Sequence, residues 1–303
     1  MAMHDRFVKW CAVAAFCVGI LGFAAVAAAK MAIVMVNVTV AGEVDEEISG
    51  LTITTYDSDN QPISGGTTTT GALGVFTLNF DVTFGDTDET LYIYPVTGNT
   101  GYIDTISPFW QINRSDAPAK TISDAELGIV ESDTATALVA FLNSNPAATN
   151  VDPTKGMLAG AVEIRRDKPE PGQSDLYNLE GATISWTDTQ GQPVSADLIY
   201  LGGDPEDPEE TGLPDPSLTA TSAAGSYLIY NIPMTTVGQY QQQDIIVSAT
   251  KSGYTIPDER IRVFPYNQDV VSIAPFEGSQ NPPPESEQNR TNPAIPALLL
   301  NDE

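Results

Sequence analysis

Any chemistry in this chain has to come from carboxylates and amides. Asp57 and Asp59, followed by Asn60, have the D-x-D-N spacing that turns several oxygens toward one Ca²⁺ ion. Asp86, Asp88 and Glu89 make a second acidic group, and Asp204, Glu206, Asp207, Glu209 and Glu210 a third. None has the glycine and distal glutamate of an EF-hand loop, and turn-forming aspartate is the commoner reason for such clusters. The sequence requires no cofactor; Ca²⁺ is the ion these groups would take. Trp110, in SPFWQINR (107–114), and nearby Tyr102 are candidates for stacking on sugar rings. Burial is the favoured reading for Trp110 and for the mid-strand Trp186. Paired carboxylates suffice for glycoside hydrolysis, but among 40 Asp and Glu such a pair is too easily found to count. Asn37, Asn113 and Asn289 head N-x-[ST] sequons, which matter where exported chains are glycosylated.

What is absent decides more. His4 is the only histidine, and Cys11 and Cys17 are the only cysteines. All three lie in residues 1–29, which have the parts of an export signal. His4, Arg6 and Lys9 come first, an uncharged apolar run over 10–28 follows, and Ala27 and Ala29 supply the small residues read at a cleavage site. An uncleaved membrane anchor is the competing reading, because the run is about long enough to span a bilayer. The small residues favour cleavage before Lys30. Once the leader is gone, no imidazole or thiol remains. That excludes structural disulfides, Cys/His zinc sites, and Ser-His-Asp or Cys-His catalysis. The formal net charge of −27 repels nucleic acid and anionic lipid. The expected location is secreted, cell-surface or periplasmic.

Strands must position whatever these groups do. In residues 30–40, Val34, Val36, Val38 and Val40 alternate with Ile33, Met35, Asn37 and Thr39. This is a first strand, apolar on both faces. It is read as an ordinary internal strand, though one able to pair with another chain. Strand-length segments at 51–56, 68–80 and 91–96, separated by Gly, Pro, Asn and Asp, indicate a sandwich; Pro95 places the last at an edge or strand end. Ser123 and Glu126 fit a capping box, and ATALVAFL (135–142) has helical character before a linker at 143–155. Further strands are expected at 157–164, 182–186, 227–230, 244–250, 260–264 and 270–274. Ile261 and Val263 alternate with Arg260 and Arg262, which turns one face inward. After Phe276 the chain becomes polar and Pro-rich, a composition of disorder, and ends in an apolar knot at 295–300.

The fold class is therefore mainly β: two antiparallel Ig- or transthyretin-like β-sandwich domains with a short helical segment between them. The division is leader 1–29, first sandwich 30–120, helices and linker 121–155, second sandwich 156–277 and tail 278–303.

The two sandwiches share a pattern. ITTYDSDNQPIS (53–64) aligns without gaps to ISWTDTQGQPVS (184–195), matching Asp57 to Asp188, Gln61 to Gln192 and Pro62 to Pro193. Downstream, Thr68, Thr70, Ala72, Gly74 and Phe76 match Thr219, Thr221, Ala223, Gly225 and Tyr227. The second copy carries about 20 extra residues between these points, which fits an acidic surface loop over 196–217.

GAVEI (160–164), LEGATISW (179–186), DTQGQPV (188–194), TSAAGSYLIYNIP (221–233) and IIVSATKSGY (245–254) resemble the carboxypeptidase regulatory-like, transthyretin-like β-sandwich family. The first half is similar, keeping the Asp-x-x-x-Gln-Pro turn and the Gly-x-Phe strand but lacking the Gly-Tyr ending. The resemblance implies a non-catalytic module on an exported protein, a stalk, folding aid or binder, with no catalytic residues to carry over. The expected function is a secreted or surface-associated structural or adhesive protein, not an enzyme, whose partner is protein or polysaccharide. One alternative is a self-assembling subunit of an extracellular filament, joined by strand addition through 30–40 or by the knot at 295–300. Another is a Ca²⁺-dependent carbohydrate-binding or glycosidase accessory module. Nucleic acid is not expected as a partner, and membrane contact would come only through an uncleaved leader.

Overall fold

The computed structural model describes residues 30–41, 49–71, 74–85, 89–99, 101–122, 127–167, 174–203 and 211–280. Ten strands come first: β1 (Lys30–Ala41), β2 (Thr52–Tyr56), β3 (Pro62–Thr69), β4 (Val75–Phe84), β5 (Thr90–Gly98), β6 (Tyr102–Ile106), β7 (Trp110–Asn113), β8 (Ala119–Ile122), β9 (Leu127–Gly128) and β10 (Val130–Glu131). One helix follows, α1 (Ser132–Ser144). Then come β11 (Gly156–Asp167), β12 (Ser174–Asn178), β13 (Thr183–Asp188), β14 (Asp197–Gly203), β15 (Thr211–Asp215), β16 (Ser226–Ile232), β17 (Thr235–Val237), β18 (Tyr240–Thr250), β19 (Tyr254–Thr255), β20 (Glu259–Val263), β21 (Val270–Ile273) and β22 (Phe276–Gln280).

Alternation explains the layers. β4 buries Phe76, Leu78, Phe80, Val82 and Phe84 and exposes every residue between them, as a half-covered strand should. β1 lies antiparallel beside it, from Lys30 opposite Phe84 to Thr39 opposite Val75, and turns Ala32, Val34 and Val36 into the same core. β1 is an internal strand: its other edge pairs with β8 and β9 in parallel. Facing this sheet across the core are Leu51, Ile53, Ile93, Trp110 and Ile112. The second half repeats the layering. β13, β18 and β20 bring Ile184, Ile245, Val247, Ile261 and Val263 against Leu158, Val162, Tyr227 and Phe276.

One sheet spans both halves, in the order β15-β14-β16-β11-β21-β6-β5-β2-β3. The crossing is a single parallel pair, with Val270 of β21 opposite Asp104 of β6 and Ser272 opposite Ile106. On the face of this sheet away from the two sandwich cores lies α1. Its Ala135 and Leu142 share a third apolar cluster with Ile103, Met157, Ile199, Leu228, Tyr230 and Val271. β16 is consequently buried at every residue, because alternate side chains enter different cores. Most ladders are antiparallel, while β1–β8, β1–β9, β11–β21, β11–β22 and β21–β6 are parallel.

The internal repeat is visible in hydrogen bonds. In the first sandwich Thr70 Oγ1 accepts from Leu51 N–H and Thr70 O from Gly50 N–H. In the second, Thr221 Oγ1 accepts from Ala182 N–H and Thr221 O from Gly181 N–H. Gly74 and Gly225 both have positive φ, 67° and 68°. At Gly225 a Cβ would lie 2.7 Å from Val162 O, so only glycine fits there.

Several expectations change. Residues 196–217 are not simply a loop: β14 and β15 form a hairpin on the edge of the long sheet, and Tyr200 Oη accepts from Ile184 N–H. The acidic tip, with Asp204 and Asp207, lies outside the described residues, as do Asp86, Asp88, the leader, Ser123 with Glu126, and Asn289. Pro95 sits inside β5, opposite Thr55, where the other neighbour changes from β7 to β6 and its missing N–H costs no ladder bond. The tail begins later than 278, since β22 runs to Gln280. Residues 145–155 are tied down, with Asp152 N–H donating to Asn231 Oδ1 and Lys155 O accepting from Tyr266 N–H.

Candidate functional site

Among the described residues, charged side chains gather between the two sandwiches. The base of the gathering is the turn joining β2 to β3. Asp57 Oδ1 accepts from Asp59 N–H at 2.9 Å and Gln61 N–H at 2.8 Å, and Asp57 N–H donates to Gln61 O. This Asx-type turn forces Asn60 to φ 61°, a left-handed conformation that asparagine tolerates. The turn thereby aims the Asn60 amide at the second sandwich. Asn60 Nδ2 donates to Gln242 Oε1 at 2.6 Å. Asn60 Oδ1 accepts from Tyr94 Oη at 2.7 Å and from Arg262 Nη1 at 2.6 Å.

Arg262 is the hub. It is 3 % exposed, on β20. Its Nε donates to Asp244 Oδ1 at 2.7 Å and its Nη2 to Asp244 Oδ2 at 3.0 Å, a two-pronged pairing. Nη1 also donates to Ser58 O at 2.8 Å. Arg260 Nη2 reaches the same Asp244 Oδ2 at 3.0 Å. Two guanidiniums thus share one carboxylate. Aromatic faces help hold the remaining positive charge. Arg260 lies 4.1 Å from the Tyr92 ring centroid and 5.0 Å from that of Phe109, and Arg262 lies 5.2 Å from Tyr94 and from Phe109. Tyr56 stacks on Tyr94 in turn. Phe109 N–H donates to Arg260 O, so the backbone crosses the boundary too.

Burial raises the Tyr94 phenol well above its usual range, against the opposing pull of Arg262. Burial alone would lower Arg262, but the hydrogen bonds and charge of Asp244 keep its pKa raised. Both groups therefore hold their protons through the physiological range. The arrangement has no nucleophile beside a free base. What it can do is fix two bodies against each other. Removing one partner of such a buried pair typically costs about 3–5 kcal/mol.

Ser107 Oγ and Arg260 Nε are buried without a hydrogen-bond partner. Arg260 belongs to this boundary, and Ser107 lies two residues before Phe109, whose N–H donates to Arg260 O.

The residues singled out by type fall elsewhere. Trp110 is 7 % exposed and belongs to the first core, opposite Ile93, so its indole has no free face for a sugar. The segment lacked periodicity because only four residues of it are strand. Tyr102 is half-buried and packs on the same core. Asp57 Oδ1 caps the turn, and Asn60 Oδ1 is taken by Tyr94 and Arg262. Among the described residues no three acidic, histidine or cysteine side chains gather closely enough to hold a metal. Asn37 stands opposite Thr77 in the β1–β4 ladder, and Asn113 Oδ1 accepts from Thr90 Oγ1 and Gln111 Nε2. Sequence reasoning missed Arg260 and Arg262. The signal was two arginines in one strand of a chain with only 13 Lys and Arg.

No family model matches the chain, and no curated protein matches it. Among solved structures, similar chains include the TIE protein of Bacillus anthracis, at 12 % identity over 81 % of this chain and 34 % of that one, TM-score 0.21. The chain thus spans about a third of that protein's length. A variant of the shaft pilin SpaA from Lactobacillus rhamnosus GG is 13 % identical over 83 % of this chain and 98 % of the pilin, TM-score 0.23. The major pilin from Streptococcus pyogenes is 11 % identical over 83 % and 98 %, TM-score 0.21. Likenesses of that degree carry no function across. Among the described residues no helix is long and apolar enough to cross a membrane.

Proposed function

We propose that the chain is a non-catalytic structural or adhesive subunit at the cell exterior, whose two β-sandwiches act as one rigid element. The observation that carries this is the buried bridge from Asn60 and Tyr94 through Arg262 to Asp244, laid across one continuous sheet. Domains that move independently meet through modest, more polar interfaces; this boundary combines ladder hydrogen bonds, a buried ion pair and an apolar helix. The export-type leader supports the exterior address, and a mature chain without histidine or cysteine supports a role other than catalysis. Kinship of the second sandwich to carboxypeptidase regulatory-like modules belongs to this proposal and rests on the strand and turn motifs. The partner would be protein or polysaccharide, and filament formation is one form of it. Small-angle scattering of the full-length chain tests the rigidity: one fixed arrangement of the two sandwiches should fit the curve. A wild type that needs a mixture of arrangements sinks the proposal, as does turnover of a substrate.

One observation favours a second reading, carbohydrate binding, with or without Ca²⁺. An open cleft of about 350 Å³ is lined by Asp57, Ser58, Ser64, Asp81, Thr83 and Tyr92. A glycan array with and without chelator decides it; silence in both conditions removes the idea.

A further inference from the structure

The pairings fix which way each strand runs. β22 is parallel to β11, β11 to β21, and β21 to β6. β5 is antiparallel to β6. β1 runs the same way as β5. At the start of β1, Lys30 Nζ donates to Arg114 O, and Arg114 N–H donates to Glu89 O, just before β5 begins. At its end, Ala41 stands opposite Gly128, whose carbonyl accepts from Thr97 Oγ1 near the end of β5. β1 is therefore antiparallel to β22. The chain enters the described body at the start of β1 and leaves it at the end of β22, so both connections lie at one pole.

Register gives the heights. Ser272 of β21 stands opposite both Ile106 and Leu158, and Val96 of β5 stands opposite Ile106. From that common level β5 reaches ~20 Å to Thr90. β11 climbs on the same side from Leu158 to Ile164, opposite Gly278, which puts Gln280 at ~26 Å. In the other direction lies the turn from β5 to β6, where Tyr102 N–H donates to Asn99 O. Beside it starts α1, whose Ser132 N–H donates to Gly101 O. The turn Tyr266–Asp269 is there too, tied to Lys155 O and Pro153 O, and its Gln268 lies ~13 Å beyond the common level. One connection belongs to each sandwich, so the seam between the sandwiches is what keeps the two at a common pole.

Charge follows the same axis. Lys30, Arg114, Lys120, Arg165 and Lys251 lie toward the pole of the connections, where Lys120 pairs with Asp116 and Arg165 with Glu277. Toward the other pole are Asp104, Glu131, Asp133 and Asp269. Among the described residues Lys155 is the one cation there, and it is already beside Asp152. A negatively charged cell envelope repels the acidic pole most and so turns the connections toward itself. We propose that the chain is mounted at the cell exterior by the pole where both connections lie, and presents the opposite pole, with the turns at Asn99–Gly101 and Tyr266–Asp269, outward. This rests on the structural or adhesive reading and chooses among its forms. A link joined in line through its two ends needs one end at each pole, whereas this body hangs from one. Whichever connection carries the attachment, the same pole is held.

The test is cysteine labelling of intact cells that export the full-length chain. Both native cysteines lie in residues 1–29, and Cys11→Ser with Cys17→Ser removes them from every variant. Gln268→Cys marks the outer pole. Ser115→Cys and Ser279→Cys mark the pole of the connections, one in each sandwich, and all three positions are exposed. With a bulky, membrane-impermeant maleimide, the Gln268 variant should react as fast on cells as when purified. The Ser115 and Ser279 variants should react at least ~10-fold slower on cells, as for a surface open about a tenth of the time. Asn267→Cys replaces the outer variant, and Ser252→Cys either of the others, if thermal melting shows one unfolded. Slow reaction at all three positions, slow reaction at the outer one alone, unchanged reaction at all three, or a chain found only free in the medium each overturns the proposal. In purified doubly substituted chains, spin labels at 115 and 279 should lie closer together than labels at 115 and 268, and the reverse order overturns it as well. Any of these results with a chain that still scatters as one rigid body removes the mounting alone, whereas a flexible body removes the structural-subunit reading whatever the labelling shows.

Discussion

The turns at Asp57–Gln61 and Asp188–Gln192 have the same hydrogen bonds and different surroundings. In each, the aspartate Oδ1 accepts from the N–H groups two and four residues on: Asp59 and Gln61 in one, Gln190 and Gln192 in the other. In each, the fourth residue has positive φ, 61° at Asn60 and 77° at Gly191. Gly191 faces open space, with nothing within 4 Å of where a Cβ would be. Asn60 is buried and bonded to Gln242, Tyr94 and Arg262. The difference teaches how a repeated module acquires a neighbour. The turn backbone was already fixed by its aspartate, so a single side chain at the left-handed position suffices to couple the modules, at little strain because asparagine adopts that conformation.

The strongest way to break the comparison is to remove what Asn60 grips. Asp244→Ala leaves two guanidiniums facing no carboxylate and should lower stability by about 3–5 kcal/mol, read by urea denaturation. A loss under 1 kcal/mol would mean the cluster is solvated and the turns are equivalent after all. Asn60→Gly converts the first turn into the second. It keeps the favourable φ but strands Tyr94 Oη and Gln242, for an expected loss of about 2–3 kcal/mol. Glu259→Gln sharpens the assignment, because Glu259 shares β20 with both arginines yet belongs to the second sandwich. Burial, then the charge of Asp258, pushes its pKa up to about 7. The folded state therefore holds the proton more tightly than the unfolded one, and stability falls as pH rises from about 4.5 to about 7. Glutamine should flatten that slope and add about 2 kcal/mol at neutral pH, while Asp244→Ala leaves the slope in place. Asp188→Ala should cost about 1 kcal/mol in its own turn, and Asp57→Ala should cost more, about 2 kcal/mol, because its turn also holds Asn60 against Gln242, Tyr94 and Arg262. Gly191→Asn should change stability by less than about 0.5 kcal/mol in thermal melts, because a side chain there meets nothing.

The sequence disclosed what local chemistry dictates. The alternation of residues 30–40, the paired turns, the Thr-to-Gly matches and the helical character of 135–142 are all properties of short stretches. The boundary cluster is not. Arg260 and Arg262 alternate with Ile261 and Val263, and periodicity alone puts arginine on the wet face. Here both faces of β20 are covered, and a distant turn supplies the second cover. Trp110 shows the converse: its size alone favoured burial, and it lies in the first core, while its neighbour Phe109 meets the arginines, which no local pattern disclosed. Nor does composition distinguish a loop from a hairpin when an acidic, Pro-rich tip dominates the segment, as between β14 and β15.

The contacts that unite the halves join residues very far apart along the chain: Asn60 and Gln242 are 182 positions apart, and Asn60 and Arg262 are 202. Chains emerge N-terminus first, and domains tend to fold as they appear. The first sandwich must therefore wait, with the open edge of β6 and the amide of Asn60 exposed, until β20 and β21 arrive. A chain truncated before residue 260 would keep that raw edge permanently, offering the unpaired strand that invites aggregation or proteolysis. The same seam that stiffens the finished molecule thus acts as proof of completeness, since only a chain exported nearly to its end can close it.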